Sequence, residues 1–298
     1  MTTTERAATP GGHDGPGTDG WAPRLVALDI DGTLLRWTDE SPATASSSPA
    51  SSVEEIRPAV RDAVRRAAAA GAEVVLASGR SPYDMTRVAD LLELHAPGAE
   101  PLWVVAANGA VVFRYPPVDV VHEETFDARD SVAAALERHP EAIVAVEERG
   151  VGYRMNRPFP PGELTGRHTL ASVDELLAEP VTRVIIRDPQ ASVEDFVALA
   201  EGLGLHGTEY VVGWTAWLDI MPVGVSKASG LQHVVDRLGL TAGDVLAIGD
   251  GRNDVEMLRW AGRGVAMGQA VEAVHEAADD VTATVDDDGA AVELSRWF

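Results

Sequence analysis

The sequence predicts an α/β protein, a doubly wound parallel sheet with a smaller α/β cap domain inserted into it. Three observations lead to this fold class. Apolar runs without alternation, such as residues 25–30 and 245–248, are typical of strands buried on both faces of a parallel sheet. Segments with helical start and stop signals separate these runs, which is the order of a doubly wound fold. The middle of the chain has strands and helices of its own, which indicates an inserted domain.

The core elements occur in two blocks of sequence. Pro58 begins a predicted helix that ends before Gly71, because proline is favoured in a first helical turn and glycine just past a helix end. Ser81-Pro82 starts another helix by the same reasoning. Strands are predicted at 25–30, 73–77, 102–107, 245–248 and 265–267, and later helices at 227–238, 254–261 and 270–277.

The domain organisation follows from these two blocks. The core is expected to comprise residues 21–110 and 223–298, with the cap domain at 111–222 between them. Within the cap, strands are predicted at 143–146, 181–186 and 214–220, and helices at 131–138, 172–178 and 192–201. Residues 1–20 and 39–52 are poor in large apolar side chains, so we expect a disordered tail and a flexible loop there.

The composition narrows the class of function. The formal net charge of −23 disfavours nucleic acids and anionic membranes as partners, because both require a basic surface. The absence of cysteine excludes disulfides, thiolate metal sites and thiol nucleophiles. Residues 1–20 lack a basic patch followed by an apolar core, so we expect no export signal there. No apolar run approaches the roughly 18 residues that a membrane span needs. We therefore expect a cytoplasmic protein, and no obligate protein partner is inferred.

Two carboxylates follow the first buried strand. Asp29 and Asp31 are two positions apart, and Gly32 permits a sharp turn after them. Carboxylates so close together repel each other unless a cation neutralises them, and Mg²⁺ prefers such oxygen ligands. A solvated pair in a turn would also explain this motif taken alone.

Polar residues follow two later strands at the same predicted edge of the sheet. Ser78 comes directly after the strand at 73–77 and offers a hydroxyl to a phosphate oxygen, with backbone N–H groups of the turn beside it. Asp250 follows the strand at 245–248, where it would complete a metal site begun by Asp29. Lys227 begins the preceding helix and supplies the positive charge that a nucleophile and a phosphate require.

Together these motifs resemble the haloacid dehalogenase superfamily. The large insert and the run at 222–227 are similar to its Cof-type phosphatases, which carry a class IIB cap. The resemblance covers Arg24 to Phe298, apart from the Ser-rich loop, and four motifs in this order are specific. The motifs that carry it are Asp29–Thr33, Ser78–Arg80, Lys227 and Gly249–Asp254, with Asn108–Ala110 before the insert.

The resemblance implies a magnesium-dependent phosphatase with Asp29, Asp31 and Lys227 as catalytic residues. Asp29 would attack phosphorus and form an aspartyl-phosphate. Asp31 would protonate the leaving oxygen and then activate water. The implied magnesium site comprises Asp29, the backbone carbonyl of Asp31, Asp250 and Asp254, the last orienting a metal-bound water. Phosphate or substrate binding is implied for Ser78, Gly79, Arg80, Asn108, Lys227 and Asn253.

The expected substrate is a small phosphorylated metabolite, with a sugar phosphate as the kind we favour. Two alternatives stay open, a phosphotransferase or mutase with the same nucleophile and a non-catalytic binding protein. The glycine pattern at 202–207 follows a helix instead of a strand, so it predicts a turn and no dinucleotide site. The eight histidines show no ligand spacing, and Trp214 and Trp217 are interpreted as core residues.

Overall fold

The structure is a computed structural model in which two sheets are present, one of eight strands and one of six. The predicted fold class is confirmed by this arrangement. The ranges that the structure describes are 20–36, 55–94, 100–148, 150–202, 208–212 and 217–298. The predicted tail lies almost wholly outside them, as do the loop at 39–52, Trp214 and most of the glycine pattern at 202–207.

The larger sheet has the order β14-β13-β12-β1-β2-β3-β4-β5. Its first six strands are parallel, whereas β4 and β5 continue the sheet in antiparallel pairs. The strand order reverses between β1 and β12, and this is where α/β sheets bind their ligands. The strands are Leu25–Leu28 (β1), Glu73–Ala77 (β2), Leu102–Ala106 (β3), Val111–Tyr115 (β4), Asp119–Glu123 (β5), Val245–Gly249 (β12), Arg263–Ala266 (β13) and Asp280–Val281 (β14).

Helices cover both faces of this sheet. Helix α1 shows why they dock, since Val60, Ala63, Val64 and Ala67 recur at helical spacing and are all buried. The helices of the core are Pro58–Ala69 (α1), Pro82–Leu91 (α2), Lys227–Leu238 (α6), Val255–Trp260 (α7), Glu272–His275 (α8) and Gly289–Leu294 (α9).

Helix α6 places Lys227 in its first turn. Ser226 caps the helix, because its side chain accepts a hydrogen bond from the N–H of Ser229 while the Ser229 hydroxyl accepts one from the N–H of Ser226. Gly239 ends the helix with a φ of 65°, a left-handed conformation that suits glycine. The start of α6 therefore follows from its local sequence.

The smaller sheet has the order β10-β11-β9-β6-β7-β8. One face packs against α3, α4 and α5, and the other carries a second apolar cluster that includes Tyr153, Phe159 and Leu164. Trp217 packs at the edge of that cluster, with its ring 5.7 Å from the ring of Phe159. The elements are Arg129–Arg138 (α3), Ile143–Glu148 (β6), Gly152–Met155 (β7), Arg167–Leu170 (β8), Val173–Leu176 (α4), Val184–Arg187 (β9), Val193–Gly202 (α5), Thr208–Val212 (β10) and Trp217–Pro222 (β11).

The N-terminal boundary of the insert differs from the predicted boundary at residue 111. Residues 111–123, assigned to the cap by sequence, form β4 and β5 of the core sheet. Their pattern is apolar at the start and polar later, as expected for strands at the edge of a sheet, and it carries no signal for which sheet they join. The first backbone pairing of the chain within the insert is at Phe126, whose backbone exchanges two hydrogen bonds with Val181 in an isolated bridge. The division into two domains itself stays a prediction.

Within the part of the chain that the structure describes, no helix is both long and apolar enough to cross a membrane.

Candidate active site

The candidate site lies at the carboxyl ends of β1, β2 and β12. Asp29 follows β1, and its N–H donates to the carbonyl of Ile248 in β12 at 3.0 Å. Ser78 follows β2, and Asp250 follows β12. The parallel register of these strands brings the three polar positions to one edge of the sheet, as predicted.

Lys227 joins two of the predicted acidic residues. Its Nζ lies 2.6 Å from Asp29 Oδ1 and 2.6 Å from Asp254 Oδ1. The side chain of Lys227 is completely buried, as is that of Asp254. A lysine in the first turn of a helix is disfavoured by the helix dipole, and these two carboxylates supply the compensating negative charge.

Burial dominates the protonation of this group. It raises the pKa of Asp29 to about 7, with a further rise from the charge of Asp254 and an opposing effect from Lys227. Burial also raises the pKa of Asp254, again opposed by Lys227. For Lys227, burial acts to lower the pKa, but the carboxylates of Asp254 and Asp29 outweigh it and leave the pKa raised. Lys227 is therefore held as a cation between two carboxyl groups.

Asp254 also organises the loop after β12. Its Oδ2 accepts hydrogen bonds from the N–H groups of Asp250 at 3.1 Å and Gly251 at 2.8 Å. Gly249 makes room for this contact, since a Cβ there would lie 2.5 Å from Asp254 Cγ. Because both oxygens of Asp254 accept hydrogen bonds from the protein, its position favours an indirect role at a metal, as the resemblance implies.

The donor set fits a hard divalent cation. Carboxylate oxygens of Asp29, Asp250 and Asp254 lie within 4.8 Å of one another. Asp29 Oδ2 is buried and has no hydrogen-bond partner among the described residues, so it is available to an ion or to phosphorus. Oxygen ligands of this kind suit Mg²⁺.

Asp31 is held by Arg80. The guanidinium donates from Nε to Asp31 Oδ2 at 2.8 Å and from Nη2 to Oδ1 at 2.6 Å, a two-point ion pair. The Arg80 side chain is 19% exposed and that of Asp31 29%, so the pair lies at the mouth of the site. Arg80, predicted to bind substrate, therefore contacts a predicted catalytic residue.

The remaining predicted phosphate-binding residues form a connected group. Asn253 Nδ2 donates to Asn108 Oδ1 at 2.9 Å, although these residues come from different parts of the core. Asn108 also donates through its N–H to the carbonyl of Ser78, and the Ser78 hydroxyl accepts from the N–H of Arg80. A Cβ at Gly79 would lie 3.0 Å from Asn108 Oδ1, which explains the glycine.

Sequence reasoning assigned no role to Gln269. Its Nε2 donates to the carbonyl of Gly32 at 2.6 Å and to Asp250 Oδ2 at 3.3 Å, so it links the loops after β1 and β12. Its Oε1 accepts from the N–H of Val285. A glutamine without a partner motif gives no signal in the sequence, because these contacts join distant segments.

Two histidines and a glutamate lie close together in the structure, although the spacing of the histidines in the sequence indicated no ligand set. His122, Glu124 and His233 have potential ligand atoms within 4.8 Å of one another. The two imidazole rings are stacked, with centroids 3.6 Å apart and planes inclined by 25°. His122 Nε2 also lies 3.0 Å from Glu124 Oε1, so these two side chains are joined by a hydrogen bond.

Comparison with known proteins agrees with this site. The family model of the haloacid dehalogenase-like hydrolases matches residues 26–294. The chain therefore belongs to the haloacid dehalogenase-like hydrolases, as the sequence motifs predicted.

Two relatives and one solved structure illustrate the likeness. A 5-amino-6-(5-phospho-D-ribitylamino)uracil phosphatase of Bacillus subtilis is 30% identical, covering 93% of this chain and 98% of its own length. A phosphoglycolate phosphatase of Natronomonas pharaonis is 31% identical, covering 91% and 96%. The structure of a subclass IIB sugar phosphatase has a TM-score of 0.69 at 23% identity, covering 91% and 98%, which shows the shared fold. The predicted enzyme class, a phosphatase, is confirmed.

Proposed function

We propose that this protein is a Mg²⁺-dependent phosphatase that hydrolyses a small phosphorylated metabolite through an aspartyl-phosphate on Asp29. The observation that carries the proposal is the buried Asp29 carboxylate, which has Lys227 on one oxygen and a second oxygen without a partner among the described residues. A buried carboxylate in this setting has no packing function, but it suits a nucleophile.

In the first step a carboxylate oxygen of Asp29 attacks phosphorus. The bond between phosphorus and the substrate oxygen breaks, and Asp31 gives a proton to the departing oxygen so that an alcohol leaves. Lys227 remains beside the carboxylate throughout and offsets the negative charge of the phosphoryl group. Ser78, Asn108 and Asn253 would donate hydrogen bonds to the phosphoryl oxygens.

In the second step water replaces the alcohol. Asp31, now ionised, takes a proton from water as the water oxygen attacks phosphorus. The bond between phosphorus and Asp29 breaks, which releases inorganic phosphate and restores the carboxylate. Splitting one displacement into two in this way lowers each barrier.

Asp29 and Asp250, with the backbone carbonyl of Asp31, would hold the cation. When bound, Mg²⁺ supplies positive charge that favours the ionised Asp29 and neutralises phosphoryl oxygens. Asp254 would act on the cation site indirectly, because it accepts hydrogen bonds from the N–H of Asp250 and from Lys227.

The names of two relatives indicate what kind of substrate this protein could act on. One acts on a ribityl phosphate and another on phosphoglycolate, and both compounds are small phosphate monoesters. We infer a substrate of this size, with a sugar phosphate as the favoured kind.

The test is release of inorganic phosphate from p-nitrophenyl phosphate, with Mg²⁺ and with EDTA. Metal-dependent release supports the proposal, and binding without release would indicate a non-catalytic protein instead. A phosphotransferase or mutase would place the phosphoryl group on a second organic acceptor, which product analysis by ³¹P NMR distinguishes. A screen of phosphorylated metabolites with the purified protein then identifies the substrate.

A further inference from the structure

A buried polar group of the smaller sheet lies against the phosphate-binding segment of the core. Its centre is Arg183, which directly precedes β9 and whose side chain is only 5% exposed. Arg183 Nη1 donates to the carbonyl of Gly79 at 2.8 Å, and Gly79 directly follows Ser78. This side chain of the insert therefore reaches the site described above.

Three neighbours on the same sheet surround this guanidinium. Arg183 Nη2 donates to Tyr153 OH at 2.8 Å and to Glu147 Oε2 at 3.2 Å, and Nη1 lies 4.0 Å from Asp219 Oδ2. Tyr153 is opposite Glu147 in the register of β6 and β7, so their side chains share one face of the sheet. We name Tyr153, Glu147, Arg183 and Asp219 the polar row.

The same strand makes a second contact with the core. Met221 is two positions beyond Asp219 in β11, so both side chains lie on one face of the sheet. Asn108 Nδ2 lies 3.5 Å from Met221 Sδ. The polar row and Met221 thus face Gly79 and Asn108, which border the phosphate-binding group.

The polar row has hydrogen-bonding capacity left over. Arg183 Nε is buried and has no hydrogen-bond partner among the described residues. The same holds for Asp219 Oδ1, although the Trp217 side chain hydrogen-bonds to the Asp219 carboxyl group. Buried polar atoms are nearly always paired, so two such atoms beside a site indicate a ligand that completes them. One is a donor and the other an acceptor. Hydroxyl groups match both kinds of atom, because a hydroxyl accepts one hydrogen bond and donates another.

The charge of the polar row restricts the ligand further. One guanidinium faces the carboxyl groups of Glu147 and Asp219, and Asp84 of the core lies close enough to act on both Glu147 and Arg183. Burial raises the pKa of Glu147 to about 7 and raises that of Asp219 as well, so these groups already lack solvation. A further anion placed against them would be repelled or would have to bring a proton.

We propose that the polar row binds the leaving group of the substrate and selects an uncharged, polyhydroxylated one over one that carries a second anionic group. This inference rests on the proposed phosphatase function and specifies its substrate class. A sugar or alditol phosphate has the required hydroxyls, whereas a phosphorylated hydroxy acid places a carboxylate against Glu147 and Asp219.

The test compares two substrates that differ in one group. Ribitol 5-phosphate and 5-phosphoribonate are matched except for a terminal hydroxymethyl in one and a carboxylate in the other. We expect kcat/KM to favour ribitol 5-phosphate by at least about tenfold, since like charges in contact are costly. Asp219→Asn should lower this ratio by about tenfold, because the repulsion is partly removed while the side chain keeps its shape.

Asp174→Asn is the matched control, because Asp174 is an exposed carboxylate of α4, and it should leave the ratio unchanged. A ratio of one or below in the unaltered protein overturns the inference, whether or not the variants fold. A folded Asp219→Asn protein with an unchanged ratio also overturns it. Failure to release phosphate from p-nitrophenyl phosphate with Mg²⁺ would instead refute the proposed function, so the two failures are distinguishable.

Discussion

Arg80 holds the carboxylate of Asp31 through two hydrogen bonds, at 2.8 Å from Nε and 2.6 Å from Nη2. This planar contact fixes the orientation of Asp31. To donate a proton to the leaving oxygen, the carboxyl group must free one oxygen from the guanidinium while the other oxygen keeps its hydrogen bond to Arg80. Arg80 therefore acts as a positioning residue for Asp31, in addition to any contact that it makes with substrate.

This relationship predicts an effect that depends on the leaving group. Arg80→Lys keeps a positive charge but loses the two-point contact, so proton donation by Asp31 should become less efficient. We expect kcat to fall by about 10- to 100-fold for an alkyl phosphate, whose alcohol needs the proton. p-Nitrophenyl phosphate should be affected much less, since its leaving group departs as an anion.

Arg65→Lys on α1 is the control, because it alters an exposed arginine that pairs with Glu93. Equal losses for both substrates in Arg80→Lys would show that Arg80 acts only in binding the phosphate.

Asp29→Asn should abolish turnover while preserving the fold. The amide is not a nucleophile, so we expect kcat to fall by several orders of magnitude. Asp254 still accepts from Lys227 at 2.6 Å, so the buried ammonium keeps one partner and the chain should fold. Phosphate release and circular dichroism measure the two effects, with Asp62→Asn on the exposed side of α1 as the control. Substantial turnover in Asp29→Asn would end the covalent mechanism.

The Asp31→Asn variant should distinguish the role of Asp31 from that of Asp29. A good leaving group such as p-nitrophenolate needs no proton, so Asp29 should still become phosphorylated. Hydrolysis of the aspartyl-phosphate needs a base and should slow by about 100-fold or more. Rapid quenching followed by mass spectrometry should then find phosphate on the peptide that contains Asp29. Phosphate on residue 31 in the Asp29→Asn protein would reverse the roles.

The raised pKa of Asp29 predicts how Mg²⁺ binding depends on pH. Without the metal, burial raises the pKa of Asp29 to about 7, so the group is mostly protonated below that pH. Mg²⁺ binds the ionised carboxylate, and binding below pH 7 must therefore displace a proton. The affinity should fall by up to about tenfold for each pH unit below 7 and level off above it.

Calorimetric titration of Mg²⁺ in buffers of different ionisation enthalpy measures the protons released. Close to one proton is expected at pH 6 and close to none at pH 8. Asp29→Asn should remove the difference between these two values. An affinity that increases toward acid pH has the wrong sign for this explanation.

The sequence predicted the core of the site because its signals are local. Asp29, Ser78 and Asp250 each follow a strand with continuous apolar character, and parallel strands bring such positions to one edge. The start of α6 at Lys227 matched the prediction because a serine cap and a terminal glycine fix the helix. These features depend on a few neighbouring residues, so they can be read without tertiary contacts.

Contacts between distant segments could not be predicted in this way. The link from Gln269 to Gly32 and the contact of Arg183 with Gly79 depend on how loops and the two sheets meet. The sheet that receives residues 111–123 is likewise decided by strand pairing, which is non-local. Side-chain periodicity says which face of a strand is buried, but it does not name the neighbouring strand.

The two connections between the sheets predict a change in shape on ligand binding. The chain leaves the larger sheet after Glu123, first pairs on the insert's side at Phe126, and returns through residues 222–226. Gly224 in the return segment has a φ of 72° and open space around it, which suits either a turn or a hinge. Gly109 is packed so that a Cβ would lie 2.1 Å from the Ser226 carbonyl oxygen, so its role is close packing and it offers no hinge.

Among the described residues, several side-chain hydrogen bonds hold the insert against the core, and Asn108 Nδ2 makes one of them with Met221 Sδ at 3.5 Å. Arg183 Nη1 donates to the carbonyl of Gly79 at 2.8 Å, and Thr165 Oγ1 donates to Asp84 Oδ1 at 2.6 Å. Such contacts can break and reform, because each contributes only about 1–3 kcal/mol. An aspartyl-phosphate must be shielded from water in the first step and must release its alcohol before the second.

We therefore expect Mg²⁺ with tetrafluoroaluminate, an analogue of the phosphoryl group, to favour the closed arrangement and lower the radius of gyration. Small-angle scattering of the free and bound protein measures the change, with Mg²⁺ alone as the control. Thr165→Val should enlarge the free protein, because it removes the hydrogen bond to Asp84, and should increase the difference on binding. Scattering that is the same with and without the analogue in both proteins would contradict a moving insert. The polar row would then be an immobile part of the site. The alcohol would have to leave past the partly exposed side chain of Arg80.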